Sequence, residues 1–180
     1  MVSQQIKCQI WQLHTLGIHI AMLTGDNPSA AAYVAGHVGI DEVHAQLLPD
    51  QKVDQLSSLI RKYKNVAMVG DGVNDAPALA TSSVGIAMGA IGSEVAVENA
   101  DIALMNNNLQ LIPYLVSLGR VSVQTIRINI GSAIGVKMLF LILALLGKSN
   151  LALAIFADVG MTMVVVANGL RLFTFEHKNL

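Results

Sequence analysis

The sequence predicts a parallel α/β domain followed by a hairpin of two membrane-spanning helices. Three observations carry this expectation. Short apolar runs alternate with amphipathic helical patterns from Gln5 to Met105, the rhythm of a parallel sheet with helices on its faces. Two later stretches, Ile128–Leu146 and Leu151–Leu170, run apolar for 19 and 20 residues with one charge each. Charge divides along the same line: residues 1–115 hold ten acids and five bases, whereas residues 116–180 hold two acids and six bases. Over all 180 residues, 53% are hydrophobic and 13% charged, where a soluble domain carries roughly 25% charge. That balance excludes disorder and a purely soluble fold. The net charge of −1 excludes a strongly basic nucleic-acid surface. Cys8 is the only cysteine, which excludes an internal disulfide and a zinc ribbon within the chain.

The elements follow in order. Gln5–Leu16 reads as a helix, with Cys8 as a small buried apolar residue and Trp11 packed on the Leu16 side. Ile18–Leu23 is an apolar strand that ends at the turn Thr24-Gly25-Asp26-Asn27-Pro28. Pro28–Val38 is an Ala-rich helix whose first residue needs no N–H partner, and Gly39 stops it. Val43–Leu47 is a second strand. Asp50–Tyr63 spaces Val53, Leu56, Leu59 and Ile60 at helical period, with Asp50 as its N-cap. Val66–Val69 is a strand running into Gly70-Asp71-Gly72. Ala76–Ala80 and Ser93–Asn99 read as helices, Val84–Met88 and Ile102–Met105 as strands.

From Leu109 the pattern is helical almost to Leu146. A helix rises about 1.5 Å per residue and a bilayer core is about 30 Å thick, so each apolar stretch is long enough to span one. Two buried helices in a soluble core would show the same pattern, but the chain offers no shell large enough to cover them. Gly147-Lys148-Ser149-Asn150 leaves room only for a tight turn. Arg120 and Arg127 precede the first span, and Arg171 and Lys178 follow the second. The excess of basic residues there places both chain ends, and the α/β part, in the cytoplasm.

The densest chemistry lies in Gly70-Asp71-Gly72-Val73-Asn74-Asp75-Ala76-Pro77-Ala78-Leu79. Two carboxylates, Asp71 and Asp75, follow a strand at the edge where parallel sheets bind ligands. Glycine lets the backbone approach a ligand closely. Hard oxygen donors suit Mg²⁺, and Asn74 adds a neutral donor. A capped turn is the plain alternative for Gly-Asp-Gly alone. Thr24-Gly25-Asp26 opens a helix, where a hydroxyl and free N–H groups make either an anion site or a simple cap. Lys52 stands at the start of a helix against its dipole, as a functional cation or as an exposed surface lysine.

These motifs resemble those of the phosphorylation domain of P-type cation-transporting ATPases, a haloacid-dehalogenase-like (Rossmannoid) fold. Residues 18–105 carry the likeness, through Met22-Leu23-Thr24-Gly25-Asp26-Asn27, the Gly70–Leu79 run, and Pro49-Asp50-Gln51-Lys52, which looks like the family's Pro-x-x-Lys segment. By position, the resemblance implies that Thr24, Gly25 and Asp26 hold the phosphoryl group and that Lys52 neutralises it. It implies Mg²⁺ at Asp71 with Asp75 in or near the shell, and Asn74 hydrogen-bonding the phosphorylated site. Such roles fit phosphoryl transfer, which is mostly positioning and charge neutralisation. The family's nucleophilic Asp-Lys-Thr-Gly-Thr motif, its Thr-Gly-Glu loop and its nucleotide-binding domain are absent. The resemblance thus covers the last quarter or so of a pump, and the 180-residue chain is expected to hydrolyse no ATP. ATP itself would be bound mainly by the domain not present.

Lys137 and Asp158 are the only ionisable groups in the spans. They lie at equal distance from the turn, so an antiparallel hairpin brings them to one depth, where opposite charges offset each other's desolvation. Asn129, Gly131, Ser132, Gly135, Gly160 and Thr162 offer small or polar faces for helix packing. From the residues alone, Asp158 is either a ligand for a transported cation with Lys137 as counter-ion, or half of a static ion pair. Phe156-Ala157-Asp158-Val159-Gly160 looks like the Asp-x-Gly element of zinc, cadmium and lead transporters, and Asn129 and Lys137 resemble the Asn and Lys of their preceding helix. The copper-type Tyr-Asn and Met-x-x-Ser-Ser patterns and the cobalt-type His-Glu-Gly-Gly run are absent. A carboxylate suits a borderline divalent ion. Met161 and Met163 read as packing. His14, His19, His37, His44 and His177 share no evident ligand spacing, and Lys62-Tyr63-Lys64 reads as a solvated helix end.

The expectation is therefore the following. Residues 1–107 form the C-terminal portion of a phosphorylation domain, and 108–127 a helical connection. Residues 128–147 and 151–172 are transmembrane helices, and 173–180 a cytoplasmic tail. The chain is part of an ATP-driven Zn²⁺/Cd²⁺/Pb²⁺ efflux pump in the cell membrane. Its partners are the bilayer, the remainder of the pump polypeptide and the divalent ion. A noncatalytic remnant or split-pump subunit predicts the same residues. A membrane-tethered phosphatase of the same fold would need an Asp nucleophile after a first strand, and no such strand precedes Thr24.

Overall fold

The computed structural model describes residues 4–71, 75–89, 98–105, 108–148 and 150–174, the side chain of Leu151 excepted. The chain divides into two units, Met1–Leu111 and Ile112–Leu180. The first contains α1 (Gln4–Thr15), β1 (Ala21–Leu23), α2 (Pro28–Val38), β2 (Glu42–His44), α3 (Pro49–Tyr63), β3 (Ala67–Gly70), α4 (Ala76–Thr81), β4 (Val84–Met88) and β5 (Ile102–Leu104). The second contains α5 (Leu111–Leu145), α6 (Leu151–Leu170) and a 3₁₀ turn at Arg171–Thr174. Most of the expected helix Ser93–Asn99 lies outside the described residues.

All strand pairs are parallel, but among the described residues they form two sheets, ordered β1–β2 and β3–β4–β5. Met22 stands beside Val43, Met68 beside Gly85 and Ile86 beside Ile102. β1 and β3, which lead into the two motifs, each have one ladder partner and are only half-buried. Both first-sheet strands are shorter than their apolar runs. Ile20 gives its N–H to the Asp41 carboxylate at 2.8 Å, and its carbonyl accepts from Asp41 and Glu42. Past His44 the backbone turns back, with Gln46 at φ 55° and its N–H on the Asp26 carbonyl.

Local chemistry sets the helix ends. The Asn27 side chain accepts from the Ala30 N–H at 2.8 Å, and Gly39 closes α2 at φ 87°. α3 starts one residue earlier than expected: Pro49 takes its first position and the Gln51 side chain accepts the Leu48 N–H at 2.9 Å. Asp50 sits in the first turn, where its charge suits the helix dipole. Leu56 and Leu59 on α3, Ala31, Ala35 and Val38 on α2, and Leu79 and Ala87 are buried. Each buried leucine contributes roughly 1.5–3 kcal/mol. Gly85 lets β4 approach α4, since a Cβ there would stand 2.8 Å from the Leu79 carbonyl oxygen.

Several readings of single residues are corrected. Cys8 and Trp11 are exposed, the latter by 65%, because α1 turns Gln9 inward instead. His14, His19 and His44 do share a site, around Asp41 and Glu42 at the start of β2. Lys62 and Tyr63 are part of it, each donating to Glu42. The strand edge gathers residues that are 20 to 27 positions apart along the chain.

α5 is one uninterrupted helix of 35 residues, about 50 Å long. Gly147, at φ 68°, closes the turn after it, and Asn150 caps α6 by accepting from Leu153 at 2.8 Å. Both helices are long and apolar enough to cross a membrane, their most apolar 18-residue stretches having mean hydropathies of 2.0 and 1.8. From residue 125 onward their half-buried positions recur at helical period: 125, 129, 132, 133, 136, 140 and 143 on α5, and 154, 157, 161, 165, 168 and 169 on α6. Gly131, Gly135 and Gly160 are off these stripes, with nothing within 4 Å of a Cβ placed on them. Of the small and polar residues expected at the helix contact, Asn129 and Ser132 lie on it, joined by Ala133, and the expectation for Gly131, Gly135, Gly160 and the exposed Thr162 is corrected.

Candidate functional site

In the first unit, loops at the C-terminal ends of parallel strands supply the chemistry. Lys52, in the first turn of α3, donates from Nζ to Oδ1 of Asp75, the residue that starts α4, at 2.7 Å. Both side chains are mostly buried, at 19% and 16% exposure. Gly70 permits this contact: a Cβ on it would lie 2.9 Å from the Cβ of Asp75, closer than atoms pack. Asp71 follows at the exposed strand end. After β1, Thr24 Oγ1 donates to Asp26 Oδ2 at 3.0 Å and accepts the Asp26 N–H at 3.1 Å. The Thr24 N–H bonds the His44 carbonyl and its own carbonyl takes the Leu47 N–H, which pins this loop to β2. Gly25 stays small against the Leu47 carbonyl, 3.4 Å from a Cβ. The structure thus joins Lys52 to Asp75 and Thr24 to Asp26. Gly72 and Asn74 lie outside the described residues.

Asp71 and Asp75 supply two carboxylates at this strand end, a hard oxygen donor type that fits Mg²⁺, which takes one or two carboxylates and completes its shell with water and substrate oxygens. Among the described residues, no three His, Cys, Asp or Glu side chains are arranged to hold a metal ion.

In the second unit, Lys137 Nζ stands 3.2 Å from Asp158 Oδ1. A groove of about 130 Å³ opens beside the pair, lined by Ala133, Lys137, Asp158, Met161, Thr162 and Val165. Thr162 Oγ1 donates to the Asp158 carbonyl at 2.9 Å. Met161 is half-buried on the helix contact, whereas Met163 is 68% exposed. A second polar layer crosses the hairpin farther from the turn. Asn168 Nδ2 donates to Asn129 Oδ1 at 2.8 Å, and Asn129 Nδ2 reaches the Val165 carbonyl at 3.4 Å. Sequence reasoning missed Asn168. The reflection through the turn that pairs Lys137 with Asp158 brings Asn129 to within two residues of it.

The carboxylates at the start of β2 form a third cluster. Asp41 Oδ2 meets His14 Nε2 at 3.0 Å and His19 Nδ1 at 3.5 Å. Glu42 meets Lys62 at 2.9 Å, Tyr63 at 3.0 Å, His44 at 3.1 Å and His19 at 3.5 Å. The Lys62 hydrogen bond, then that of Tyr63, holds the Glu42 carboxyl down at about 2. The Ile20 N–H holds Asp41 below its ordinary range, and Tyr63 and Glu42 hold Lys62 above its own. This cluster braces β2 against α1 and α3.

Comparison with known proteins extends the picture. Residues 9–82 match the model of the haloacid dehalogenase-like hydrolase family. A cadmium-transporting ATPase of Staphylococcus aureus is 46% identical over 178 residues, 98% of this chain and 24% of that protein. A zinc/cadmium/lead-transporting P-type ATPase of Escherichia coli (strain K12) is 47% identical over 163 residues, 91% of this chain and 22% of that protein. The crystal structure of a zinc-transporting PIB-type ATPase in the E2.Pi state superposes with a TM-score of 0.88 and 45% identity, covering 96% of this chain and 28% of that one. The chain spans about a quarter of the length of the curated relatives it matches. Over nearly all of its own length, then, this chain is homologous to one portion of the heavy-metal-transporting P-type ATPases, a portion that joins part of a haloacid dehalogenase-like domain to a two-helix hairpin.

Proposed function

We propose that this chain supplies the Mg²⁺- and phosphoryl-binding side of a phosphorylation site, and half of an intramembrane metal site, in an ATP-driven pump for Zn²⁺, Cd²⁺ or Pb²⁺. The observation that carries the reading is the Lys137–Asp158 pair at 3.2 Å. An ionisable pair in an apolar hairpin is costly without a function. A carboxylate is a fitting donor for a borderline divalent ion. Lys137 takes the carboxylate when the ion is gone, and the adjoining groove gives the ion room.

At the soluble site, Asp71 and Asp75 would hold Mg²⁺, which when bound offsets phosphate charge and orients its oxygens. Thr24 and Gly25 receive the phosphoryl oxygens, with Asp26 orienting the Thr24 hydroxyl. Lys52 exchanges Asp75 for the phosphoryl group and neutralises it, and Asn74 hydrogen-bonds the phosphorylated site. The nucleophilic Asp and most of the ATP site belong to upstream polypeptide. Among the described residues β1 and β3 each have one ladder partner, and an upstream strand lying between them would bring its Asp between the Thr24 and Asp75 loops. Both chain ends and the first unit face the cytoplasm, by the position of Arg120, Arg127, Arg171 and Lys178.

The test is Asp158→Ala in the reconstituted full-length pump. Metal-stimulated ATP hydrolysis falls to background while phosphorylation by inorganic phosphate persists. Zinc or cadmium stimulation that survives the substitution removes Asp158 from the ion site.

A further inference from the structure

We infer that Asn129 and Asn168 are positioning residues for the ion site: their amide bridge sets the hairpin register that brings Lys137 to Asp158. The inference rests on the reading of Asp158 as a metal ligand.

The two polar layers share one register. Asn129 lies eight residues before Lys137, and Asn168 ten residues after Asp158, about 12 and 15 Å along their helices. Half-buried positions recur along both helices, at 129, 132, 133, 136 and 140 on α5 and at 157, 161, 165 and 168 on α6. Apart from the polar contacts, these stripes are mostly Ala, Val, Met and Phe. Such apolar surfaces pack about as well after sliding one turn, because lipid provides no hydrophobic penalty for the slip. Hydrogen bonds do not slide. The 2.8 Å bond between the amides and the 3.4 Å contact to the Val165 carbonyl exist in one register only. The amides also stay neutral, so they hold alignment whether Asp158 faces Lys137 or a cation. The ion pair itself cannot do this, since it opens whenever a metal takes the carboxylate.

Two measurements test the proposal. In the 180-residue chain in lipid vesicles, with Cys8→Ser, cysteines at Ala133→Cys and Val165→Cys report register, since both positions line the groove. Asn168→Leu is expected to lower their cross-linking rate about three- to twenty-fold, the range for one interhelical hydrogen bond in a membrane, and Asn168→Gln to restore part of it. Undiminished cross-linking overturns the proposal. In the full-length pump, Asn168→Leu slows metal release as Lys137→Ala does, and the two effects do not add. A purely structural residue would instead lower the amount of active pump and leave release unchanged; additive defects likewise overturn the assignment. If Asp158→Ala leaves metal stimulation intact, the ion-site reading fails, while the cross-linking result still decides the register.

Discussion

Removing Lys137 separates a counter-ion from a static ion pair. At the observed 3.2 Å, and with an effective dielectric near 20, the attraction to Asp158 is about 5 kcal/mol. Most of that offsets desolvation of the two charges and the ordering of the lysine chain, which leaves a net effect of about 1–3 kcal/mol. An incoming cation must overcome that net term to take the carboxylate, and a departing cation is helped by the same amount. In Lys137→Ala the competitor is gone, so the metal binds about 5- to 150-fold more tightly and leaves correspondingly more slowly. The assay is the reconstituted full-length pump, with metal-stimulated ATP hydrolysis titrated against free zinc and phosphoenzyme decay followed after a quench. The expected pattern is a lower half-saturating metal concentration together with a lower maximal rate, and Lys137→Arg restores part of the rate. Unchanged kinetics together with a drop in thermal stability would refute the counter-ion role.

Two further outcomes follow from the soluble unit. Gly70→Ala places a Cβ 2.9 Å from that of Asp75, which displaces Asp75 from Lys52 and destabilises the fold by about 1–3 kcal/mol; a thermal midpoint that does not fall contradicts the close packing. Glu42, held at about 2 against a usual 4.5, adds stability that is fully present above pH 4.5 and is lost as pH falls toward 2. Chemical denaturation of the chain, followed by the fluorescence of Trp11, its only tryptophan, therefore shows an acid limb that Glu42→Gln shortens. Asp41→Asn shortens it in the same direction, and an unaltered acid limb in both variants contradicts the brace.

Much of the site was legible because its chemistry is local. Thr24, Gly25 and Asp26 follow an apolar run directly, so the turn and its hydrogen bonds between Thr24 and Asp26 are written in consecutive residues. The Lys137–Asp158 contact is long-range in sequence, yet a two-helix hairpin reduces it to counting residues from the turn. The β2 cluster was not legible. His14, His19, Asp41, Glu42, Lys62 and Tyr63 come from four separate segments, and no periodicity relates them. Asn168 was hidden for another reason: an asparagine three residues before Arg171, at a helix end, reads as a terminus until its partner on α5 is known. The glycines of the spans misled, since small residues permit close packing without requiring it.

By itself the sequence determined the order of strands and helices, the apolar length of the two spans, the chemical character of the motif loops and the equal depth of Lys137 and Asp158. These depend on short-range periodicity, turn chemistry and chain length, which act between near neighbours. Only the tertiary structure decided that Lys52 closes on Asp75, that Gly70 must lack a Cβ for it to do so, that three histidines gather at Glu42 and Asp41, and that an amide bridge from Asn168 to Asn129 crosses the hairpin. Lys52 and Asp75, His14 and Asp41, and Asn129 and Asn168 stand 23, 27 and 39 positions apart in the chain, and the direction of each side chain there is set by how whole elements pack.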